Sequence, residues 1–183
     1  MRPVRLSTPR LVLDAPGRDD VQLITQYCQD PRFEAWMTLP WPYRREHAEY
    51  FVENVVPAGW ENDTEYTWAL RDADGAPLKG VIGWRRGGLD LGYWLGAPHR
   101  GNGYMAEAVG AVCDWLFEQG QELVRWEAIV PNVDSLAVAR RAGFTFTAVG
   151  PSDVTARDGS HPPAWHAELL ATDSRRPKAG WPA

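Results

Sequence analysis

The chain has little of what several classes of protein require. Its 183 residues include only two cysteines and four histidines. The histidines are not spaced as zinc ligands are, so we expect no metal site. No apolar run approaches about 18 residues, so we expect no membrane span. Residues 1–6 lack the apolar core of a signal peptide, and we expect a cytoplasmic protein.

The net charge and the positions of the cysteines restrict the possible classes of protein further. The formal net charge is −5, which argues against a nucleic-acid-binding protein because such proteins carry a basic face. Cys28 and Cys113 fall on apolar faces of predicted helices, so we expect two buried free thiols, as in a reducing compartment. A hydrophobic content of 44% and a charged content of 23% are ordinary for a globular protein.

The order of predicted elements indicates an α/β fold. We expect one domain over residues 1–171 and a loose tail over residues 172–183, which are rich in proline, arginine and glycine. Antiparallel strands come first, and strand–helix–strand–helix follows, which predicts a mixed, mostly antiparallel twisted sheet of six to seven strands with about four helices. The predicted strands span residues 10–14, 66–70, 79–84, 89–95, 124–130, 145–149 and 165–171, and the helices before the central loop span about 19–30 and 45–56.

The most informative segment follows the strand that ends near Gly96. There Arg100-Gly101-Asn102-Gly103 opens an amphipathic helix. Glycines at a helix start expose backbone N–H groups, and the helix dipole adds positive charge. Such a helix start binds phosphate, and Arg100 would add a cation beside it. The segment therefore predicts a ligand that carries a phosphate or pyrophosphate.

Two interpretations compete for this glycine loop. Gly101-x-Gly103-x-x-Ala106 satisfies the dinucleotide-binding pattern. The dinucleotide-binding fold, however, requires an acidic residue at the end of its second strand, whereas Glu127 lies in the middle of the predicted strand 124–130. The strand is followed instead by Asn132-x-x-Ser135 and a helix that ends in Arg141-x-Gly143-Phe144. A dinucleotide unit also usually begins its domain, and here half of the chain precedes the loop.

Together these motifs resemble the GNAT acetyltransferases. Their acyl-CoA loop, Arg/Gln-x-x-Gly-x-Gly/Ala, falls on Arg100, Gly103 and Met105, and the last position departs from the pattern. The opening residues 6–13 and the phrase Gly92-Tyr93-Trp94-Leu95 are similar to the branch that contains the ribosomal-protein N-terminal (alanine/serine) acetyltransferases. The resemblance covers roughly residues 5–171 and implies the GNAT fold.

The resemblance implies acetyl transfer from acetyl-CoA, as cosubstrate, to a primary amine by direct attack through a tetrahedral intermediate. The acceptor would be a protein N-terminus or a small amine such as a polyamine, an amino acid or an aminoglycoside. A non-catalytic acyl-CoA-binding module is the alternative from another class. We expect a monomer or a homodimer.

The same resemblance implies where acetyl-CoA binds. Its pyrophosphate would lie on the glycine loop, and its pantetheine arm would lie in a cleft where the strand ending at Leu95 splays from its neighbour. The residues predicted to bind the cosubstrate are Leu95, Arg100, Gly101, Asn102, Gly103, Tyr104, Met105, Asn132, Ser135 and Arg141.

Three side chains are candidates for the chemistry, each with an alternative structural role. The Ser135 hydroxyl would assist the departing thiolate, or would only bond backbone at its helix start. Glu127 would be the general base, or would pair with Arg125 two residues away. Glu107 is the second choice as base, since a carboxylate in a first helical turn also complements the dipole. A water chain is the remaining proton path.

The segment from Phe33 to Tyr43 is rich in aromatic residues and contains two prolines, so we predict an irregular loop there. Two irregular stretches are candidates for the rim of the acceptor cleft. They are the aromatic loop around residues 36–43 and the loop over residues 151–163.

Many GNAT enzymes use a tyrosine near the end of the domain as the acid. No tyrosine follows Tyr104 in this chain, which leaves the acid role to Ser135 or to water.

Overall fold

The computed structural model describes residues 1–182. Within that range it contains one eight-stranded sheet in the order β1-β2-β3-β4-β5-β6-β8-β7. All neighbouring strands are antiparallel except β5 and β6, so the predicted mixed, mostly antiparallel sheet is confirmed. The strands are β1 (Leu6–Ser7), β2 (Val12–Asp14), β3 (Glu65–Arg71), β4 (Gly80–Arg85), β5 (Asp90–Leu95), β6 (Leu123–Ile129), β7 (Thr145–Pro151) and β8 (Pro163–Leu170). The strand count exceeds the prediction because the two-residue β1 also pairs.

Six α-helical segments accompany the sheet in residues 1–182, and two of them form one continuous helix. They are α1 (Val21–Tyr27), α2 (Pro31–Trp36), α3 (Arg45–Tyr50), α4 (Val56–Glu61), α5 (Tyr104–Glu118) and α6 (Val133–Arg141). A π-helical segment, Phe51–Val55, joins α3 to α4. Pro57 follows this wider turn, where its missing N–H does not interrupt a regular α-helical ladder.

The prediction of an irregular loop from Phe33 to Tyr43 was wrong for its first residues. Helix α2 begins at Pro31, and the Asp30 carboxylate accepts a hydrogen bond from the Arg32 N–H at 2.9 Å. An aspartate cap followed by proline at the first helical position is a strong helix start, and it outweighs the aromatic content of the segment.

Two hydrophobic clusters cover opposite faces of the sheet. On one face α5 packs over the central strands, with Trp60, Trp68 and Trp115 in edge-to-face and tilted contact. On the other face α1, α2 and α3 pack over alternate residues of β3, β4 and β5, among them Ala69 and Trp94. Cys28 and Cys113 are buried and free, as predicted, and burial raises the pKa of both thiols.

Residues 172–182, which we predicted as a loose tail, contact the domain through side chains that include Arg175 and Trp181. Arg175 pairs with Asp114 at 2.9 Å, and the Trp181 ring lies 5.8 Å from Trp126 and 5.7 Å from Phe146, centroid to centroid. The apolar ring of Trp181 is partly buried by these contacts, and local amino-acid composition does not reveal such long-range packing.

Within residues 1–182 there is no helix long and apolar enough to cross a bilayer.

Candidate active site

A gap in the middle of the sheet contains a cavity. Strands β5 and β6 pair only at Asp90–Arg125 and Leu91–Trp126, whereas β6 and β8 pair over seven residues. Beyond Leu91 the two strands diverge, and a cavity of about 470 Å³ fills the space between them. Eight predicted cosubstrate residues line it: Leu95, Arg100, Gly101, Gly103, Met105, Asn132, Ser135 and Arg141.

The walls of this gap carry backbone hydrogen-bonding groups. Gly96 donates its N–H to Lys79 O at 2.9 Å, so alternate residues of β5 from Gly96 backwards face β4. The N–H and C=O groups of Tyr93 and Leu95 therefore face the gap. An extended ligand with amide groups can thus pair with β5 as an additional strand would.

The glycine loop closes one end of the cavity with an open helix start. Gly101 and Gly103 both have φ of +77°, a conformation that glycine adopts at little cost. Gly103 is the N-cap of the 15-residue α5 and supplies no side-chain cap, so the first N–H groups of the helix are open to a ligand. The other two predicted cosubstrate residues, Asn102 and Tyr104, do not line the cavity. Asn102 bonds the carbonyls of His99 and Arg100, and Tyr104 packs against Arg10 and Lys79.

Arg100 lines the cavity, but its guanidinium forms an ion pair and a hydrogen bond within the protein. Its Nη1 lies 2.6 Å from Asp30 Oδ2, and its Nε donates to Leu95 O at 3.1 Å. Partial burial opposes ionisation of Asp30, but hydrogen bonds from Arg32 N–H and Arg100 lower the pKa of this carboxyl. Arg100 thus supports the end of β5, and its buried Nη2 has no hydrogen-bond partner among the residues described. Its contact with a phosphate stays a prediction.

Two other arginines flank the helix start. A Cβ atom built on Gly103 would lie 3.4 Å from Arg141 Nη1 and 3.6 Å from Arg10 Nη2. Arg141 is exposed, and its side chain has no hydrogen bond or ion pair with any other residue in the range 1–182. Arg10 was not predicted, because nothing in its local sequence indicates that the connection between β1 and β2 passes beside this loop.

Glu107 holds Arg10 in place. Its carboxylate accepts hydrogen bonds from the Thr8 hydroxyl, from Arg10 N–H at 3.1 Å and from Arg10 Nε at 2.7 Å. Burial raises the pKa of Glu107, but these hydrogen bonds outweigh it and lower the pKa overall. Glu107 does not line the cavity, so its geometry fits the structural role better than that of a base.

Glu127 does line the cavity, and its oxygens are held by the loop that follows β7. They accept hydrogen bonds from Ser152 Oγ at 2.8 Å and from the N–H groups of Asp153 and Val154 at 2.9 and 3.3 Å. The predicted alternative, a pair with Arg125, was wrong. Arg125 reaches Glu168, its direct partner across β8, at 3.4 Å.

A potential metal-ligating cluster also includes Glu127. One ligand atom each from Glu127, Asp153 and His166 lies within 4.8 Å of the others. Asp153 is exposed and the Glu127 oxygens are already bonded, so we assign no metal to this cluster.

Ser135 lies opposite the end of β5, at the start of α6. The cap of α6 is Asn132, whose Oδ1 accepts the Ser135 N–H at 3.3 Å. The Ser135 hydroxyl does not bond backbone, contrary to the alternative that we considered, and donates to the Tyr93 hydroxyl at 3.1 Å. Tyr93 also lines the cavity and was missed as a site residue, since its phrase in the sequence indicated only the family branch.

Comparison with known proteins decides the family. A family model described as the acetyltransferase (GNAT) domain matches residues 10–145. The chain belongs to the GNAT acetyltransferase family. This match confirms the predicted resemblance, and it supports the predictions of an acetyltransferase and of acetyl-CoA as its cosubstrate.

Individual GNAT relatives differ in how much of the chain they match. The probable N-acetyltransferase YjcK of Bacillus subtilis is 37% identical over 92 residues, which cover 46% of this chain and 50% of YjcK. The chain thus spans about half the length of this curated relative.

Two solved structures share the fold over almost the whole chain. The ribosomal-protein-S5-alanine acetyltransferase of Vibrio fischeri is 16% identical, covering 95% of this chain and 100% of its own, with a TM-score of 0.75. The self-immunity acetyltransferase MccE, solved with acetyl-CoA and AMP, is 19% identical, covering 89% and 93%, with a TM-score of 0.77.

The two predicted rim loops also meet at the GNAT cavity. Trp36, Met37 and Thr38 line the cavity from one loop, and Ser152 and Val154 line it from the other. Arg157 joins the two loops, because its guanidinium donates to Met37 O at 2.7 Å, to Leu39 O at 3.0 Å and to Glu34 O. Both predicted loops are therefore parts of one rim.

Proposed function

We propose that this GNAT domain transfers the acetyl group of acetyl-CoA to a primary amine, with the α-amine of a protein or peptide N-terminus as the acceptor. One observation carries the proposal. The gap between β5 and β6 runs from an open helix start with an unpaired arginine, Arg141, to a carboxylate, Glu127, among the residues that the structure describes.

The end at the helix start suits the donor. A pyrophosphate would accept hydrogen bonds from the open N–H groups of α5 and an ionic contact from Arg141. The pantetheine amides would pair with the backbone of Tyr93 and Leu95. The Asn132 amide nitrogen, which has no hydrogen bond within residues 1–182, is a further donor toward this arm.

The middle of the gap suits the transfer step. The amine nitrogen forms a bond to the acetyl carbon, and the C–S bond then breaks with its electron pair left on sulfur. Backbone N–H groups of Tyr93 and Leu95 are the donors available to the oxyanion. The amine proton passes to Glu127 or to water, and the Ser135 hydroxyl donates a hydrogen bond to the departing thiolate.

The acceptor assignment has support on two sides. The Vibrio fischeri neighbour is named for ribosomal-protein acetylation, which favours a protein N-terminus. The contacts of Arg157 across the rim favour a small amine as the second candidate, because they narrow the entrance that a polypeptide would need.

A thiol-release assay with acetyl-CoA tests these alternatives. The acceptors are peptides with different N-terminal residues, the same peptides with blocked N-termini, polyamines, amino acids and aminoglycosides. Turnover of free but not blocked peptides is the expected result. Turnover confined to small amines would replace the first candidate by the second. No turnover together with retained CoA binding would indicate a binding module.

A further inference from the structure

We propose that Tyr93 is a positioning residue that switches the Ser135 hydroxyl between two hydrogen-bonded orientations, so that it points to the sulfur only when a thiolate forms. This proposal rests on the proposed acetyl transfer. It assigns a role in the departure of CoA to a residue on β5 that neither the sequence motifs nor the family match identifies.

The Tyr93 hydroxyl has three partners around it. Trp126 Nε1 donates to it at 2.8 Å, Ser135 Oγ donates to it at 3.1 Å, and it donates to Ser135 O at 3.2 Å. A phenol hydroxyl has one proton and two lone pairs, so this arrangement uses its full capacity. An indole N–H can only donate, which fixes one of the two lone pairs.

The remaining proton positions allow a second arrangement without movement of any heavy atom. The Tyr93 proton can rotate from Ser135 O to Ser135 Oγ, since both oxygens lie within hydrogen-bond distance of the phenol. The Ser135 proton is then displaced from Tyr93 and is free to point into the cavity that Ser135 lines. In the first arrangement the serine proton is withheld from the cavity, and in the second it is presented to it.

The second arrangement suits a sulfur that carries negative charge. A chain of donors then runs from Trp126 through Tyr93 and Ser135 to the thiolate, and each hydrogen bond polarises the next. Burial raises the pKa of the Tyr93 phenol far above its usual value, which keeps the hydroxyl protonated as the chain requires. No proton needs to leave Tyr93 or Ser135. The amine releases one proton on amide formation, and the thiolate takes one up from solvent.

The test uses the full chain and the variant Tyr93→Phe, with Tyr66→Phe as the matched control. Tyr66 is another core tyrosine, and its hydroxyl bonds Asp63 and Arg86 instead. Tyr93→Phe should lower kcat about tenfold with little change in KM for acetyl-CoA, since one hydrogen bond in the chain is lost. In a Ser135→Ala background the same substitution should have no further effect on kcat. Equal losses in both backgrounds would overturn the proposal.

A binding measurement keeps the proposal separate from the proposed function. CoA affinity is measured against pH and compared with desulfo-CoA, which lacks the thiol. The native chain should bind CoA more tightly as the thiol ionises, and Tyr93→Phe should remove that gain while leaving desulfo-CoA unaffected. Loss of affinity for both ligands would reduce Tyr93 to a packing role. An absence of turnover in every variant, with this pH effect intact, would overturn the transfer reaction but not the hydroxyl switch.

A double variant guards against a folding defect. Tyr93→Phe leaves the buried Trp126 N–H without its acceptor, whereas Tyr93→Phe with Trp126→Phe removes both partners. The double variant should show the same loss of kcat and of the pH effect as Tyr93→Phe. Recovery of native kcat in it would contradict the proposed chain of donors.

Discussion

Replacing Arg141 by alanine should weaken CoA binding without destabilising the protein. The Arg141 guanidinium lies beside the start of α5, 3.4 Å from the Cβ position of Gly103, and has no ionic partner among the residues described. A hydrogen bond to a charged group contributes about 1.5–3 kcal/mol, so the dissociation constant should rise by about 10- to 150-fold. Because no ion pair within the protein is lost, the melting temperature should stay near that of the native chain.

Calorimetric titration with two ligands locates the effect. CoA carries the pyrophosphate, whereas pantetheine lacks it, so Arg141→Ala should reduce the affinity for CoA only. The loss should shrink as salt is added, since an exposed charge is screened. Arg140→Ala is the matched control, because it removes the same charge from the adjacent, exposed position of α6.

Two results would refute this reasoning. Equal losses of CoA affinity in Arg140→Ala and Arg141→Ala would mean that the overall positive charge of α6, and not a direct contact from Arg141, attracts the ligand. A loss of pantetheine affinity in Arg141→Ala would place the arginine at the thiol end of the cosubstrate rather than at the pyrophosphate.

Three further substitutions test the site. Asn132→Asp keeps the cap of α6 but removes the amide donor, so KM for acetyl-CoA should rise about 2- to 12-fold at unchanged melting temperature, and an unchanged KM would exclude Asn132 as a ligand of the pantetheine arm. Glu127→Gln should lower kcat/KM about 10²- to 10⁴-fold if Glu127 is the base; a lower melting temperature with native activity per folded molecule would instead assign it to the loop after β7. Glu107→Gln should lower the melting temperature at neutral pH. The difference from the native chain should begin to shrink as the pH falls below about 4 and vanish below the depressed pKa of Glu107, because such a carboxyl stabilises the fold only while ionised. A difference that persists at low pH would show that the Glu107 contribution is not ionic.

The local sequence pattern was enough to predict the backbone elements that form the site. The glycine loop, the strand before it and the asparagine cap of α6 each depend on residues within a few positions of one another, where hydrophobic period and helix-start chemistry are informative. The buried cysteines followed from the same reasoning, whereas the splay of β5 from β6 followed from the family resemblance alone.

The partners of the charged residues could not be predicted in this way. Arg10 meets Glu107 across 97 positions of the chain, and Arg100 pairs with Asp30, the N-cap of α2, a helix that the sequence analysis did not predict. Tyr93 and Ser135 are 42 positions apart. A helix or strand signal gives the face of a side chain but not the residue that the fold brings opposite it. The ion pairs of Arg100 with Asp30 and of Arg125 with Glu168 were therefore missed.

The contacts of Arg157 have a consequence for redesign of the rim. The carbonyls that it binds are 118 to 123 positions away, on the aromatic loop and the end of α2. Grafting either loop alone from a relative would leave a guanidinium without its carbonyls or the carbonyls without their donor. Exchange of acceptor preference between family members should therefore succeed when both loops are transplanted as a pair, and chimeras with one foreign loop should lose activity toward the acceptors of both parents.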